Sequence, residues 1–386
     1  MSFRRRGSRL TLVIILSVLI LGGLAAIYML LTAPIQAKKE AGDRAIAGAT
    51  VMPGSGTPTP AGGTSKVLAD YVVEGDQLFL QGKVDEALSS YADALAKDAN
   101  NARAYAHWAK ILVSRNQTAE GLEKARKAVE LDANNAENQA ILSFAYDWSG
   151  DYSKAIEAAQ RATQLAPTYA PAYGYLAEAL ADAGQQQKAV DTGKKAVELD
   201  SKNADVHRSY GYVLQSVGNF QVSEQEYLKA IELQPKASYL RLSLAGLYRR
   251  MGRTDAAIIE FQKVIEAEPS NPQGYEGIGR TYYDQAKYDE AISFFKKATE
   301  VDPNRASAFS YLGWSYYRQE KYDLAIPYLQ QAVKLEPKRA GEYAGLGMSL
   351  YMTGKYNEAR DAFNKALAID PNSELAKTGL KRLGAR

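Results

Sequence analysis

The sequence predicts an all-α fold: a solenoid of nine helix-turn-helix units, closed by one more helix and preceded by a single membrane-spanning helix. Three observations predict it. Residue types recur at a fixed shift of 34 positions over the last four-fifths of the chain. Each unit carries two stretches in which apolar residues return every three or four positions, the period of an amphipathic helix. The 22 residues from Leu10 to Leu31 run without one charge.

Residues 1–9 form a basic tail containing Arg4, Arg5, Arg6 and Arg9. Residues 10–31, helical at about 1.5 Å per residue, span roughly 33 Å, enough for a hydrocarbon core of about 30 Å. The arginines before this segment outweigh the mixed Lys38, Lys39, Glu40, Asp43 and Arg44 after it. By the positive-inside rule the tail stays in the cytoplasm and the repeats lie outside it, as in a single-pass membrane protein. A cleaved signal peptide is the competing reading, since Ala33 to Ala37 offers small residues, although its apolar region is usually only about 7 to 15 residues long. Either reading exports the rest of the chain. Residues 32–67 form a flexible linker: Pro53 to Ser65 (PGSGTPTPAGGTS) holds no charged, aromatic or large aliphatic side chain to offset the entropy of ordering.

From residue 68 to 373 the units start at 68, 102, 136, 170, 204, 238, 272, 306 and 340. One column, Gly75, Ala109, Ser143, Ala177, Gly211, Ala245, Gly279, Gly313 and Gly347, is small throughout. A second, Ala94, Ala128, Ala162, Ala196, Ala230, Val264, Ala298, Ala332 and Ala366, is nearly all alanine. A third holds Pro167, Pro235, Pro269, Pro303, Pro337 and Pro371. The small column lets helices approach closely. Gly150, Gly184, Gly218, Gly252 and Gly354 fall between the two helices and suit a helix C-cap. Proline then ends the second helix, because it lacks the backbone donor. Departures gather early: Glu74 stands where later units have Leu or Ile, Gly121 and Ser223 interrupt an alanine column, and Gly193 replaces an aromatic. Looser packing is expected there. Residues 374–386 form a capping helix, with Ser373 as its N-cap and Lys377, Lys381 and Arg382 making its outer face polar.

Composition narrows the chemistry. With 46% hydrophobic and 24% charged residues the chain has the make-up of a folded protein. Zero cysteines exclude disulfides, thiolate nucleophiles and metal–thiolate sites, and two histidines are too few for a three-histidine zinc site. The net charge of +3 is misleading: residues 1–67 carry eight basic and two acidic side chains, so the remainder is net negative. A nucleic-acid partner is therefore not expected. The glycines of GIG at Gly277 and GLG at Gly345 lie inside helices, and Thr353-Gly354-Lys355 lacks the spacing of a phosphate loop. His207 occupies a large-residue column shared with Tyr173 and Tyr275, which packing explains. His107 has Lys110 one turn on and no carboxylate one turn back, so it lacks an orienting partner for base chemistry. No catalytic residue, cofactor or metal ligand is expected, and the protein reads as a non-enzyme.

The columns resemble the tetratricopeptide repeat. One unit reads Tyr275, Ile278, Gly279, Tyr282, Ala291, Phe295, Ala298, Pro303, and the next Phe309, Leu312, Gly313, Tyr316, Ala325, Leu329, Ala332, Pro337. The resemblance implies a right-handed superhelix whose first helices line a concave groove where ligands bind. The stripe opposite the packing stripe carries Phe144, Trp148, Arg208, Tyr212, Arg249, Arg250, Arg280, Tyr283, Trp314, Tyr317, Arg318, Met348, Tyr351 and Met352. Tyr283, Tyr317 and Tyr351 form a ladder 34 residues apart. Aromatic and arginine side chains on a preformed surface are the usual ingredients of binding hot spots. Two grooves known in the family are not matched: the carboxylate-clamp positions hold residues such as Asp76 and Lys110, and no asparagine ladder is present. The expectation is a membrane-anchored scaffold that binds a peptide or protein partner outside the cytoplasm, in bacterial envelope assembly or secretion. The alternative is glycan binding in polysaccharide export, by stacking of tyrosine and tryptophan on sugar faces.

Overall fold

The structure, a computed structural model, describes residues 68–385, with side chains from residue 71. The basic tail, the membrane-spanning helix 10–31 and the linker lie outside the described residues. Among the described residues no helix is long and apolar enough to cross a membrane.

The described residues are all-helical, with no strand. The first helices of successive pairs are α1 (Leu68–Leu80), α3 (Ala102–Ser114), α5 (Ala136–Trp148), α7 (Ala170–Asp182), α9 (Ala204–Ser216), α11 (Ser238–Arg250), α13 (Pro272–Asp284), α15 (Ala306–Arg318) and α17 (Ala340–Met352). Their partners are α2 (Val84–Lys97), α4 (Thr118–Leu131), α6 (Tyr152–Leu165), α8 (Gln186–Leu199), α10 (Phe220–Leu233), α12 (Thr254–Ala267), α14 (Tyr288–Val301), α16 (Tyr322–Leu335) and α18 (Tyr356–Ile369). A final helix, α19 (Glu374–Gly384), follows.

Local chemistry sets these boundaries. Asn101, Asn135, Asn203 and Asn271 each cap a first helix by accepting a backbone N–H onto the side-chain amide oxygen. Each pair then turns on a residue in the left-handed region: Gly82, Gly150, Gly184, Gly218, Gly252 and Gly354, and at the equivalent points Asn116, Ala286 and Glu320. At the far end of each second helix the next residue donates its N–H to the carbonyl of the alanine column, as Asp98 does to Ala94 at 2.9 Å. The small column has the predicted effect: a Cβ on Gly279 would stand 2.7 Å from the Phe295 ring, so the aromatic of the second helix lies directly on the glycine of the first.

The expected loosening of the early units is not what the structure shows. A Cβ on Gly121 would meet Val113 at 2.6 Å, and one on Gly193 would meet the Tyr210 ring at 2.7 Å. Neighbouring helices have moved into the space those side chains would take. Ser223 bonds the Gly211 carbonyl at 2.7 Å, and Glu74 accepts the Ser90 hydroxyl at 3.0 Å. At the other end Ser373 makes no side-chain cap bond, and α19 is held by packing instead. Its Gly379 faces the Phe363 ring, Ala376 and Leu383 are buried, and Lys377, Lys381 and Arg382 face outward.

The stack also curls back on itself. Phe79 of α1 stacks on Tyr239 of α11 with centroids 5.8 Å apart and planes at 12°. Lys110 of α3 donates to Asp205 of α9 at 2.5 Å. The Arg115 guanidinium donates to Asp85 at 2.6 Å and to Glu268 at 3.1 Å, and Arg305 donates to the Arg115 carbonyl at 3.3 Å. The first two pairs thereby rest against the fifth to seventh. Nearest-neighbour stacking alone does not demand such contacts.

Candidate functional site

The first helices α3, α5, α7, α9, α11 and α13 line a half-open cavity of about 760 Å³ within this turn of the stack. Six of the residues expected in the groove line it: Phe144, Trp148, Arg208, Tyr212, Arg249 and Arg280. Phe144 is buried, edge-on to Trp148 at 5.8 Å and stacked on Tyr175 at 4.9 Å, whereas Trp148 is 41% exposed at the rim.

The other expected residues lie elsewhere. Arg250 is exposed outside the cavity with its guanidinium 5.7 Å from the Phe220 ring centre. Tyr283, Tyr317 and Tyr351 are half-buried, each against the tyrosine that opens the following helix, Tyr288, Tyr322 and Tyr356, at 5.5, 5.4 and 5.7 Å. Trp314 packs on Tyr317 at 5.4 Å, and Arg318 lies over the Tyr288 ring at 5.6 Å. Met348 is buried in the core, while Met352 is exposed. The predicted stripe thus divides into a cavity-lining part around α5 to α13 and a later part on α13, α15 and α17.

Most of the charge inside the cavity is paired; Arg280 lies 5.3 Å from the Tyr311 ring centre with no ion pair among the described residues, and Asp147 has no donor on Oδ1. Lys110 is bonded to Asp205, Arg208 to Glu178 at 2.5 Å, and Arg305 to Glu276 at 2.7 Å, while Arg249 reaches Asp284 at 2.7 Å. Glu178 also accepts the Ser209 hydroxyl, and Asp182 accepts the Tyr212 hydroxyl at 2.5 Å. Asp147, only 6% exposed, has an Oδ1 that accepts no hydrogen bond. Burial, then Glu178 and Asp182, push its carboxyl up to about 8, against a weaker pull from Arg208. Burial also raises Glu178 and Asp182, so this wall gathers three carboxyls that resist ionisation. Gln273 Oε1 and Arg280 Nε of α13, which also lines the cavity, are likewise buried without partners.

Sequence reasoning passed over Asp147, Glu178 and Asp182. The signal was present in the 34-residue columns: Glu178 shares a column with Phe144, Tyr212 and Arg280, Asp182 shares one with Trp148, and Asp147 stands in the column of Tyr283, Tyr317 and Tyr351. The reading of His107 also needs correction. Its Nδ1 meets Asp76 of α1, and its Nε2 meets Glu137 of α5 at 3.2 Å. Burial opposes its charge, yet these two carboxylates hold its pKa above the usual value. The orienting carboxylates come from the neighbouring units, not from its own helix. His207 is buried as expected, with polar partners: Glu226 at 2.6 Å and the Ser201 carbonyl at 3.0 Å.

The family model described as a tetratricopeptide repeat matches residues 147–204, 211–272, 276–340 and 312–374, together more than half of the chain. Among solved structures the chain is similar to one in the crystal structure of the APC/C hetero-tetramer Cut9–Hcn1, with 17% identity and a TM-score of 0.59 over 81% of this chain. It spans only 63% of that chain's length. It is also similar to yeast Tom70, with 15% identity and a TM-score of 0.54 over 82% of this chain and 88% of that one. At these identities the likeness is one of fold. No curated protein sequence matches the chain.

Proposed function

We propose that this chain, which belongs to the tetratricopeptide repeat family, is a non-catalytic scaffold that holds a peptide segment of a partner protein along its inner helices. The observation that carries this reading is the half-open cavity of about 760 Å³ on the inner face, with Phe144, Trp148 and Tyr212 among charged side chains. A preformed concave site lined by aromatics and a few convergent polar groups is what recognition of an extended segment needs, since little ordering entropy is left to lose. The exposed Met352 and half-buried Tyr317 continue the same stripe toward the C-terminus.

The uncharged run Leu10–Leu31 and the arginines before it support a finer reading. The scaffold is tethered to a membrane with its repeats outside the cytoplasm, and it serves envelope assembly or secretion. A photo-crosslinking residue placed in turn at Trp148 and Tyr317, in the native membrane, tests the function. A discrete protease-sensitive adduct is expected at one or both positions. No adduct at either, or a diffuse protease-resistant one that marks a glycan, overturns it.

A further inference from the structure

We propose that the cavity is a receptor for one basic side chain, a lysine or arginine of the bound segment, seated between the carboxyls of Asp147, Glu178 and Asp182 and the rings of Trp148 and Tyr212. This deepens the peptide-groove reading and rests on it for the ligand being a side chain.

Three features point to a cation. The first is the unpartnered Asp147 Oδ1, buried and lining the cavity, an acceptor with no donor inside the protein. A buried acceptor left unbonded costs free energy that an arriving N–H donor recovers. The second is the charge balance of this wall. Against three carboxyls from α5 and α7 stands one guanidinium, Arg208, while Lys110, Arg249 and Arg305 are bonded to Asp205, Asp284 and Glu276, and Arg280 of α13 rests on the Tyr311 ring. The third is the aromatic surround. Arg208 already rests 5.5 Å from the Phe144 ring centre, so the wall holds one cation against an aromatic, and Trp148 offers a further ring at the rim.

The size of the cation follows from the spacing. Among the described residues no three acidic or imidazole groups converge closely enough to chelate a metal ion. A cation held here must span carboxyls on two helices, as an ammonium or guanidinium on an aliphatic stem does. Binding also couples to a proton. Asp147 is largely protonated at neutral pH in the free protein, with Glu178 and Asp182 facing it as acids, Arg208 as the cation, and Tyr212 donating to Asp182. A bound cation favours the ionised carboxylate, so binding releases a proton and strengthens as pH rises toward 8.

The test is calorimetric titration of the full chain with n-butylguanidinium, n-butylammonium and the neutral isostere n-butylurea. The two cations are expected to saturate and the urea is not. Affinity for the cations is expected to rise about tenfold between pH 6 and 8, with proton release seen as buffer-dependent heat. Asp147→Asn, with unchanged helicity, abolishes the pH dependence and weakens binding about tenfold; Trp148→Ala, a rim substitution that spares the core, weakens it less. Equal affinity for n-butylurea, or full cation binding by Asp147→Asn, overturns the proposal. Crosslinking at Tyr317 separates the two readings. An adduct that persists in Asp147→Asn, while neither cation binds the wild type, leaves the groove and removes the cation pocket. Cation binding that depends on Asp147, without any adduct, does the reverse.

Discussion

Arg115 and Glu268 are 153 residues apart in sequence and 3.1 Å apart in space. Arg115 follows the second unit's first helix and Glu268 closes the sixth unit's second helix. Both side chains are largely buried, and Arg305 secures the same point by donating to the Arg115 carbonyl. With the Phe79–Tyr239 and Lys110–Asp205 contacts, the ion pair holds one turn of the stack around the cavity on the inner face.

Arg115→Ala should break this ion pair, leaving Glu268 buried with only Asn271 as a partner. The expected cost is about 3 kcal/mol, concentrated on α1 to α4. Hydrogen exchange there should speed up while α15 to α18 stay protected, and the radius of gyration should grow. Unchanged exchange in α1 to α4 would mean that nearest-neighbour packing alone holds them.

The turn column offers a gain in stability. Ala286 and Glu320 adopt φ of 59° in the position that six other units fill with glycine. The left-handed region costs an ordinary L-residue roughly 1–2 kcal/mol, and glycine in its place offsets that against extra freedom in the unfolded chain. Ala286→Gly and Glu320→Gly should each stabilise by about 0.5–1 kcal/mol, whereas Asn116→Gly should do less, since asparagine tolerates this conformation. A lower denaturation midpoint for either of the first two refutes the assignment of strain.

Gly379→Ala should loosen the C-terminal helix. Its Cβ would press into the fully buried Phe363 ring, which also packs on Gly347. A cost of about 2 kcal/mol is expected, read as faster exchange in α19 with little change in α1 to α10. Wild-type protection of α19 would show that the ring can shift at no cost.

Asp147 gives the stability a pH slope of definite sign. Its carboxyl titrates at about 8 when folded against an ordinary 3.8. The folded state therefore binds the extra proton between these values, and the contribution is full below about pH 4 and lost as pH rises to 8. Asp147→Asn should be nearly neutral at pH 4 and stabilise by a few kcal/mol at pH 8, measured as the difference in denaturation midpoint across that window. A difference that does not vary with pH would place the carboxyl in contact with water.

The tyrosine ladder calls for a gentler substitution than alanine. Tyr283, Tyr317 and Tyr351 pack against the buried cluster that contains Phe295, Leu329 and Phe363, so a triple alanine variant loses stability along with any binding. Met352→Ala and Arg318→Ala, both at exposed positions, should leave the thermal midpoint within about 1 °C and still lower the crosslinked fraction at Tyr317. Undiminished crosslinking in both variants would move the partner off this stretch.

The repeat pattern was fully legible in the residues, because a glycine under an aromatic or an alanine at a helix crossing is a local steric requirement that recurs every 34 positions. The cavity was legible in part. Aromatics and arginines stood out on the inner stripe, whereas nothing in the local sequence singled out Asp147, Glu178 and Asp182. What makes them unusual is burial, and burial depends on the neighbours of other units. The same holds for His107, whose two carboxylates lie 31 and 30 residues away.

The sequence by itself determined the helices, their turns and the order of stacking, since each of these follows from contacts within a unit or to the next one. Only the tertiary structure decided that Phe79 meets Tyr239, that Lys110 meets Asp205 and that Arg115 meets Glu268. Those contacts depend on the small rotation from each unit to the next, summed over several units. No single residue encodes that sum, and it is what turns a row of polar side chains into a concave, partly desolvated site.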